Sequence, residues 1–161
     1  MSNNPINVQI KLLTDTATIP TKAHPTDACF DIYADIPVDN SVPGISVKPT
    51  YIAIRPHETV MIHTGFATAI PEGYWAPIFA RSGLASKQGL RPAQGVPVID
   101  SPYRGEWLIP LHNDSLETRY VRQGDRICQF MILPVLPTNL VPVDELDSTD
   151  RGEGGFGSSG V

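Results

Sequence analysis

The chain has 161 residues, long enough for one domain with a core and too short for two ordinary ones. Its apolar fraction of 41% is ordinary, and no apolar run approaches the roughly 20 residues of a membrane helix. The net charge is −5 and no Lys/Arg cluster forms the cationic stripe that a nucleic-acid duplex needs, although a small polyanion requires only a few well-placed arginines.

Met1-Ser2-Asn3-Asn4-Pro5 has neither a basic start nor an apolar core, so no secretory signal is expected and the protein reads as cytoplasmic. Residues 6–12 alternate apolar and polar, the pattern of a half-buried strand. Short apolar segments follow at 30–36, 51–55, 60–70, 74–80, 95–99, 107–111 and 127–136, with turn signals at Pro71-Glu72-Gly73, Tyr103-Arg104-Gly105 and Gln123-Gly124-Asp125. One short helix is predicted over 82–87. Sixteen prolines, about twice average usage, run from Pro5 to Pro142, and helix interiors reject proline. The expectation is an all-β barrel or sandwich. Cys29 and Cys128 have no CxxC spacing and read as reduced, buried thiols, and the four histidines show no ligand spacing. The end differs: residues 151–161 hold five glycines and two serines and cannot pack a core. Composition favours a frayed tail, whereas Arg151 and Phe156 among the glycines suit a closing flap with two anchors.

Five segments carry chemistry. Asp31 lies inside the apolar run Ala28-Cys29-Phe30-Asp31-Ile32-Tyr33-Ala34, and alone it reads as an edge-strand aspartate facing water. Arg81-Ser82-Gly83-Leu84-Ala85 opens the short helix and offers a guanidinium, a hydroxyl and backbone N–H groups to an anion. Residues 95–106 read as a hairpin whose turn carries Asp100 and Tyr103, and such an Asp is a turn-former as often as a catalyst. Gly124-Asp125-Arg126-Ile127-Cys128-Gln129 is a turn entering a strand, and the tail is the fifth segment.

In this order and spacing the five segments closely resemble the motifs of the trimeric deoxyuridine triphosphatase family, from about residue 28 to residue 160. The resemblance implies a jelly-roll-like barrel over residues 1–143 and a Gly-rich C-terminal arm, 144–161, closing over a neighbouring subunit's site in a homotrimer with shared active sites. It implies hydrolysis of dUTP to dUMP and pyrophosphate, which keeps uracil out of DNA and supplies dUMP for thymidylate synthesis. Asp100 is then the general base for the water attacking the α-phosphorus. Arg81, Ser82 and Gly83 bind phosphates, Gln129 lies near the attacking water, and Arg151 clamps the γ-phosphate. Mg²⁺ is the implied cofactor, with Asp31 holding its waters from the outer shell. Tyr103 stacks under the deoxyribose, and Phe156 closes over the uracil with Gly157 and Ser158 beside it. Two positions depart from the family pattern. Pro97, three before Asp100, stands where Gly is common and has no N–H, which moves base recognition to Gln94 or Val98. Cys29 likewise stands where the first motif has Gly.

Three rival readings compete with this one. A deoxycytidine triphosphate deaminase shares the barrel, but that family carries Arg-Ser-Ser and a Glu base. A regulatory binding protein that acts through a protein partner is compatible with the fold, although no long insert marks a partner surface. A plain structural β-domain requires all five segments to fall into order by chance.

Overall fold

The computed structural model describes residues 5–36 and 51–155. It is an antiparallel all-β, jelly-roll-like assembly with one short helix. The strands are β1 (Gln9–Leu12), β2 (Phe30–Tyr33), β3 (Tyr51–Ile54), β4 (Thr59–Ile62), β5 (Phe66–Ala69), β6 (Tyr74–Ala80), β7 (Leu90–Pro92), β8 (Val98–Asp100), β9 (Ile109–Asn113), β10 (Arg119–Arg122), β11 (Arg126–Phe130) and β12 (Leu133–Pro134). Helix α1 (Ser82–Gln88) follows β6. No helix among the described residues is long and apolar enough to cross a membrane.

The longest strand, β6, organises the sheet that matters for the site. β11 and β12 lie along one edge of it in a single continuous register, and β8 pairs with the other edge. In that register Met131 faces Pro77, which has no N–H to give, and the ladder breaks there before resuming at Leu133. β2 continues the sheet beyond β11. Separate pairs join β1 to β5 and β3 to β10, and β9 lies between β4 and β7.

The core is built around Trp107, which has no exposure. Its ring meets Phe66 at 5.1 Å and Phe130 at 4.8 Å. Its indole N–H donates to the Thr68 hydroxyl at 3.1 Å, the partner a buried indole requires. Ile32, Ile54, Ile62, Ile78, Leu111 and Ile127 fill the surrounding volume from the inward faces of six strands.

Three expectations change. The run 60–70 is two strands, because Gly65 at φ 67° turns the chain between β4 and β5. β7 and β10 are absent from the sequence reading. The alternating segment 6–12 forms β1 over only Gln9–Leu12, and every residue of β1 is exposed in the single chain, with Ile10 and Leu12 included. Its alternation marks a face that the chain does not bury by itself.

Gly65 sits between two carboxylates. The Glu106 carboxylate accepts from the Thr64 and Gly65 N–H groups at 3.1 and 2.8 Å and meets His63 Nδ1 at 3.0 Å. Asp35 is buried and accepts from Thr14, Thr16 and Gln123 at 2.5, 2.6 and 3.0 Å. Burial works to raise the Asp35 pKa, but these three hydrogen bonds and the nearby His63 overcome it and hold the carboxyl below its ordinary value. A depressed folded pKa gives stability that is present above the unfolded value near ~3.9 and is lost as pH falls through the folded value. We therefore expect urea midpoints of the wild type to fall more steeply than those of Asp35→Asn between about pH 5 and pH 2. Parallel curves would show that Asp35 carries no such linkage.

Candidate functional site

Asp31 on β2, Arg81 after β6, Ser82 and Gly83 at the start of α1, and Gln129 on β11 line one cavity of about 450 Å³. The fold brings them together by register: Gln129 stands opposite Asp31 on one side and Phe79 on the other. Asp31 is almost fully buried. Its two oxygens take Arg81 Nε at 2.7 Å and Arg126 Nη1 at 3.1 Å. Arg81 Nη1 also donates to the Arg126 carbonyl at 3.3 Å, and Gln129 Nε2 donates to the Ala80 carbonyl at 3.0 Å. β2 ends the strand order of this sheet, yet the Asp31 carboxylate is buried and does not face open water. It orders two guanidiniums at the rim of a polar cavity, and this charge pairing is what makes its burial tolerable.

Helix α1 begins without a side-chain cap and without an acidic residue in its first turn. Its leading N–H groups are left for an external acceptor, which suits an anion. Arg126 is the residue that sequence reasoning quoted without a role. Regular alternation would put Arg126, three residues before Gln129, on the opposite face of the strand, and the β-bulge between Arg126 and Cys128 that brings it to Asp31 has no mark in the sequence. Both thiols are near the cavity. Burial pushes Cys128 up to about 12 against the opposing charge of Arg81. Burial also raises Cys29, with Asp31 adding to it and Lys22 opposing. Neither is a thiolate nucleophile at neutral pH.

Asp100 and Tyr103 lie elsewhere. Asp100 ends β8 and lines a second cavity with Glu72, Gly73, Tyr74, Trp75 and Ser101. The expected hairpin is corrected: β8 pairs with β6, and residues 100–103 form a turn closed by Tyr103 N–H donating to the Asp100 carbonyl at 3.1 Å. The Tyr103 hydroxyl donates to the Glu106 carbonyl at 2.9 Å, and the ring lies so close to Gly105 that a methyl group there would displace it. Val98 and Asp100 project from the same exposed face of β8. Ile78 N–H donates to the Pro97 carbonyl at 2.9 Å, so Val98 opposite Pro77 falls at a non-hydrogen-bonded position. Its N–H and C=O point to the open edge of β8. Gln94 is exposed in the preceding turn, with its carbonyl accepting from Val96 N–H at 3.0 Å.

β6 fixes the separation of the two groups. Asp100 stands opposite Trp75 on one edge of it and Gln129 opposite Phe79 on the other. At ~3.3 Å per residue along the strand and ~4.8 Å between strands, their Cα atoms are about 16 Å apart. A general base must come within about 3 Å of the proton it takes. Asp100 and Gln129 of one chain therefore cannot serve one reacting atom.

Arg151 is exposed and folded on its own turn, with Nε donating to the Gly154 carbonyl at 2.9 Å. Phe156, Gly157 and Ser158 lie outside the described residues. Among the described residues no group of three His, Cys, Asp or Glu side chains forms a cage for a metal ion.

The dUTPase family profile matches residues 15–160. Deoxyuridine 5'-triphosphate nucleotidohydrolase of Desulfitobacterium hafniense is 51% identical over 111 residues, spanning 68% of this chain and 74% of that protein. Among solved structures, a variant of the phage 80alpha dUTPase superposes with a TM-score of 0.79 at 30% identity, covering 99% of this chain and all of that one. A variant of the dUTPase from phage phi11 of S. aureus, described as revealing the coordination of a structural Mg(II) ion, gives 0.73 at 26% identity over 88% of this chain and 99% of its own.

Proposed function

The chain belongs to the dUTPase family, and on that premise we propose that it hydrolyses dUTP to dUMP and pyrophosphate at sites shared between the chains of a homotrimer. The observation that supports the sharing is the register of β6, which sets Asp100 and Gln129 on opposite edges and about 16 Å apart by ideal strand spacing, as the halves of different sites would be. Asp31, Arg81, Ser82, Gly83 and Gln129 come from one chain, and Asp100 and Tyr103 from a second. Residues 144–161 form the arm of a third, reaching across with Arg151, Phe156, Gly157 and Ser158. The exposed apolar face of β1 is consistent with burial in an assembly.

In this reading Asp100 accepts a proton from the water that attacks the α-phosphorus, in line with the departing pyrophosphate. The uncapped N–H groups of Ser82 and Gly83 and the Ser82 hydroxyl hold the phosphates. Arg81 neutralises charge on the leaving group, Gln129 orients the water, and the fork of Arg151 grips the γ-phosphate. Asp31 would hold the waters of a Mg²⁺ ion from the outer shell, and that ion would supply charge neutralisation on the phosphates. The residues present fit an ion held by the substrate: each Asp31 oxygen has one guanidinium partner and keeps a lone pair for a metal-bound water.

The open edge of β8 supports the base preference. Val98 offers one N–H and one C=O side by side, the complement of a uracil edge with its acceptor O4 and donor N3. Cytosine reverses both groups, at ~1–3 kcal/mol for each one left unpaired and buried. Gln94 lies within the same segment, and Tyr103, held over Gly105, closes the sugar face against a 2′-hydroxyl. The unpaired thiols accord with a cytoplasmic setting.

Pyrophosphate release tests this directly, with dUTP run beside the dC, dT and ribo-U triphosphates in the presence of Mg²⁺. We expect turnover of dUTP with at least about tenfold preference over each competitor, the discrimination one unpaired buried group provides. Release of ammonia from dCTP would transfer the chain to the deaminase reading. Nucleotide binding without turnover would favour the regulatory one.

A further inference from the structure

Adjoining the Asp31 cavity across Arg81 and Arg126 lies a further polar cavity of about 340 Å³. It opens between α1 and the β10–β11 turn, and Arg81, Leu84, Gln88 and Arg126 line both cavities. Three arginines face it, Arg81, Arg122 and Arg126, against one aspartate, Asp125, so its lining carries a formal charge of +2 (three less one). Asp125 turns one oxygen to its own loop, accepting from Arg122 N–H at 2.7 Å. The Arg122 guanidinium has no ion-pair partner among the described residues, whereas Arg81 and Arg126 are each held by Asp31 from the other side. Tyr120 borders the cavity and is half exposed, its ring edge-on to Tyr51 at 5.1 Å.

We propose that this cavity is a second phosphate-anion site, back to back with the catalytic pocket, in which Arg122 and Arg126 hold a pyrophosphate-class group. A guanidinium fork left without a counter-ion beside a second, pre-oriented one is the arrangement that recognises phosphate oxygens. The Asp31 pairing fixes Arg81 and Arg126 in place and leaves Nη2 of each without a hydrogen-bond partner among the described residues. The Tyr120 ring offers a face on which a nucleobase stacks, so the phosphate group belongs either to released pyrophosphate or to a nucleoside triphosphate acting away from the reaction centre. That choice of ligand rests on the dUTPase reading, but the site itself does not.

The test is calorimetric titration of inorganic pyrophosphate into full-length protein whose catalytic pocket is filled with the non-hydrolysable analogue dUpNHpp. The wild type binds pyrophosphate under these conditions. Arg122→Gln weakens that binding about tenfold, the scale of one charge-assisted hydrogen bond, and Arg122→Lys recovers part of it. Turnover of dUTP by Arg122→Gln stays within about twofold of wild type. A parallel titration with dTTP separates the two sources, since binding tighter than pyrophosphate and sensitive to Tyr120→Ala identifies a nucleotide, and equal binding identifies the product. Loss of pyrophosphate binding once the analogue is present, or unchanged binding in Arg122→Gln, overturns the second site. If dUTP is not turned over at all while Arg122-dependent pyrophosphate binding persists, the functional reading fails and the second site stands.

Discussion

Asp100→Asn lowers kcat for dUTP by roughly 10²–10⁴-fold while the nucleotide still binds, because the amide keeps the shape of the carboxylate but cannot take a proton. The informative control uses a second defective chain. Arg81→Ala damages the half-site at the far end of β6, so each variant alone is inactive for a different reason. Mixed one to one and reassembled, the two variants regain active sites wherever an intact Arg81 half meets an intact Asp100 half, about a quarter of sites on random threefold assembly. Recovery near that level supports sites built between chains. A mixture no more active than its parents would show that Asp100 and Arg81 act within one chain or not together at all.

Gly65→Ala is the largest expected effect on stability. The backbone at φ 67° costs about 1–2 kcal/mol for any side chain, from the Cβ clash of the left-handed region. A methyl group there also meets Ala17 at 2.6 Å and Thr14 Oγ1 at 2.9 Å, and presses directly on Asp35 Oδ2. Overpacking of this kind adds about 1–3 kcal/mol, giving a total of about 2–5 kcal/mol. Gly73→Ala separates the two causes, since Gly73 has φ 81° but nothing within 4 Å of the added carbon. Urea unfolding should place Gly73→Ala at the backbone cost alone and Gly65→Ala well beyond it. Equal losses would mean that the Thr14–Asp35 cluster yields easily.

The β class, the single helix and the spacing of the five segments were legible in the sequence because each rests on local rules. Proline excludes long helices, and Ser82-Gly83 after an apolar strand opens a short one. Strand pairing was not legible. β7 and β10 are short and carry Arg91, Arg119 and Arg122, so they lack the apolar signal, and they become strands because β9 and β3 offer partners. The hairpin expected at residues 95–106 failed for the same reason: the turn chemistry was right, but the partner of β8 is β6, distant in sequence. At the site, the role of Asp31 comes from the family resemblance alone, while its capture by Arg81 and Arg126 depends on three strands meeting. The separation of Asp100 from Gln129 likewise appears only once both edges of β6 are occupied.

β6 has a mechanical consequence as well. Each of its seven residues has a ladder partner on at least one edge, β8 covering Trp75–Pro77 on one side and β12 and β11 the two ends of the other, so it behaves as a beam with no free hinge residue. In the proposed trimer one end of each beam rests in one reaction centre and the other end in the next, so three beams join three centres in a closed ring. On that reading a single strand sets the position of Asp100, opposite Trp75, in one centre and of Gln129, opposite Phe79, in the next.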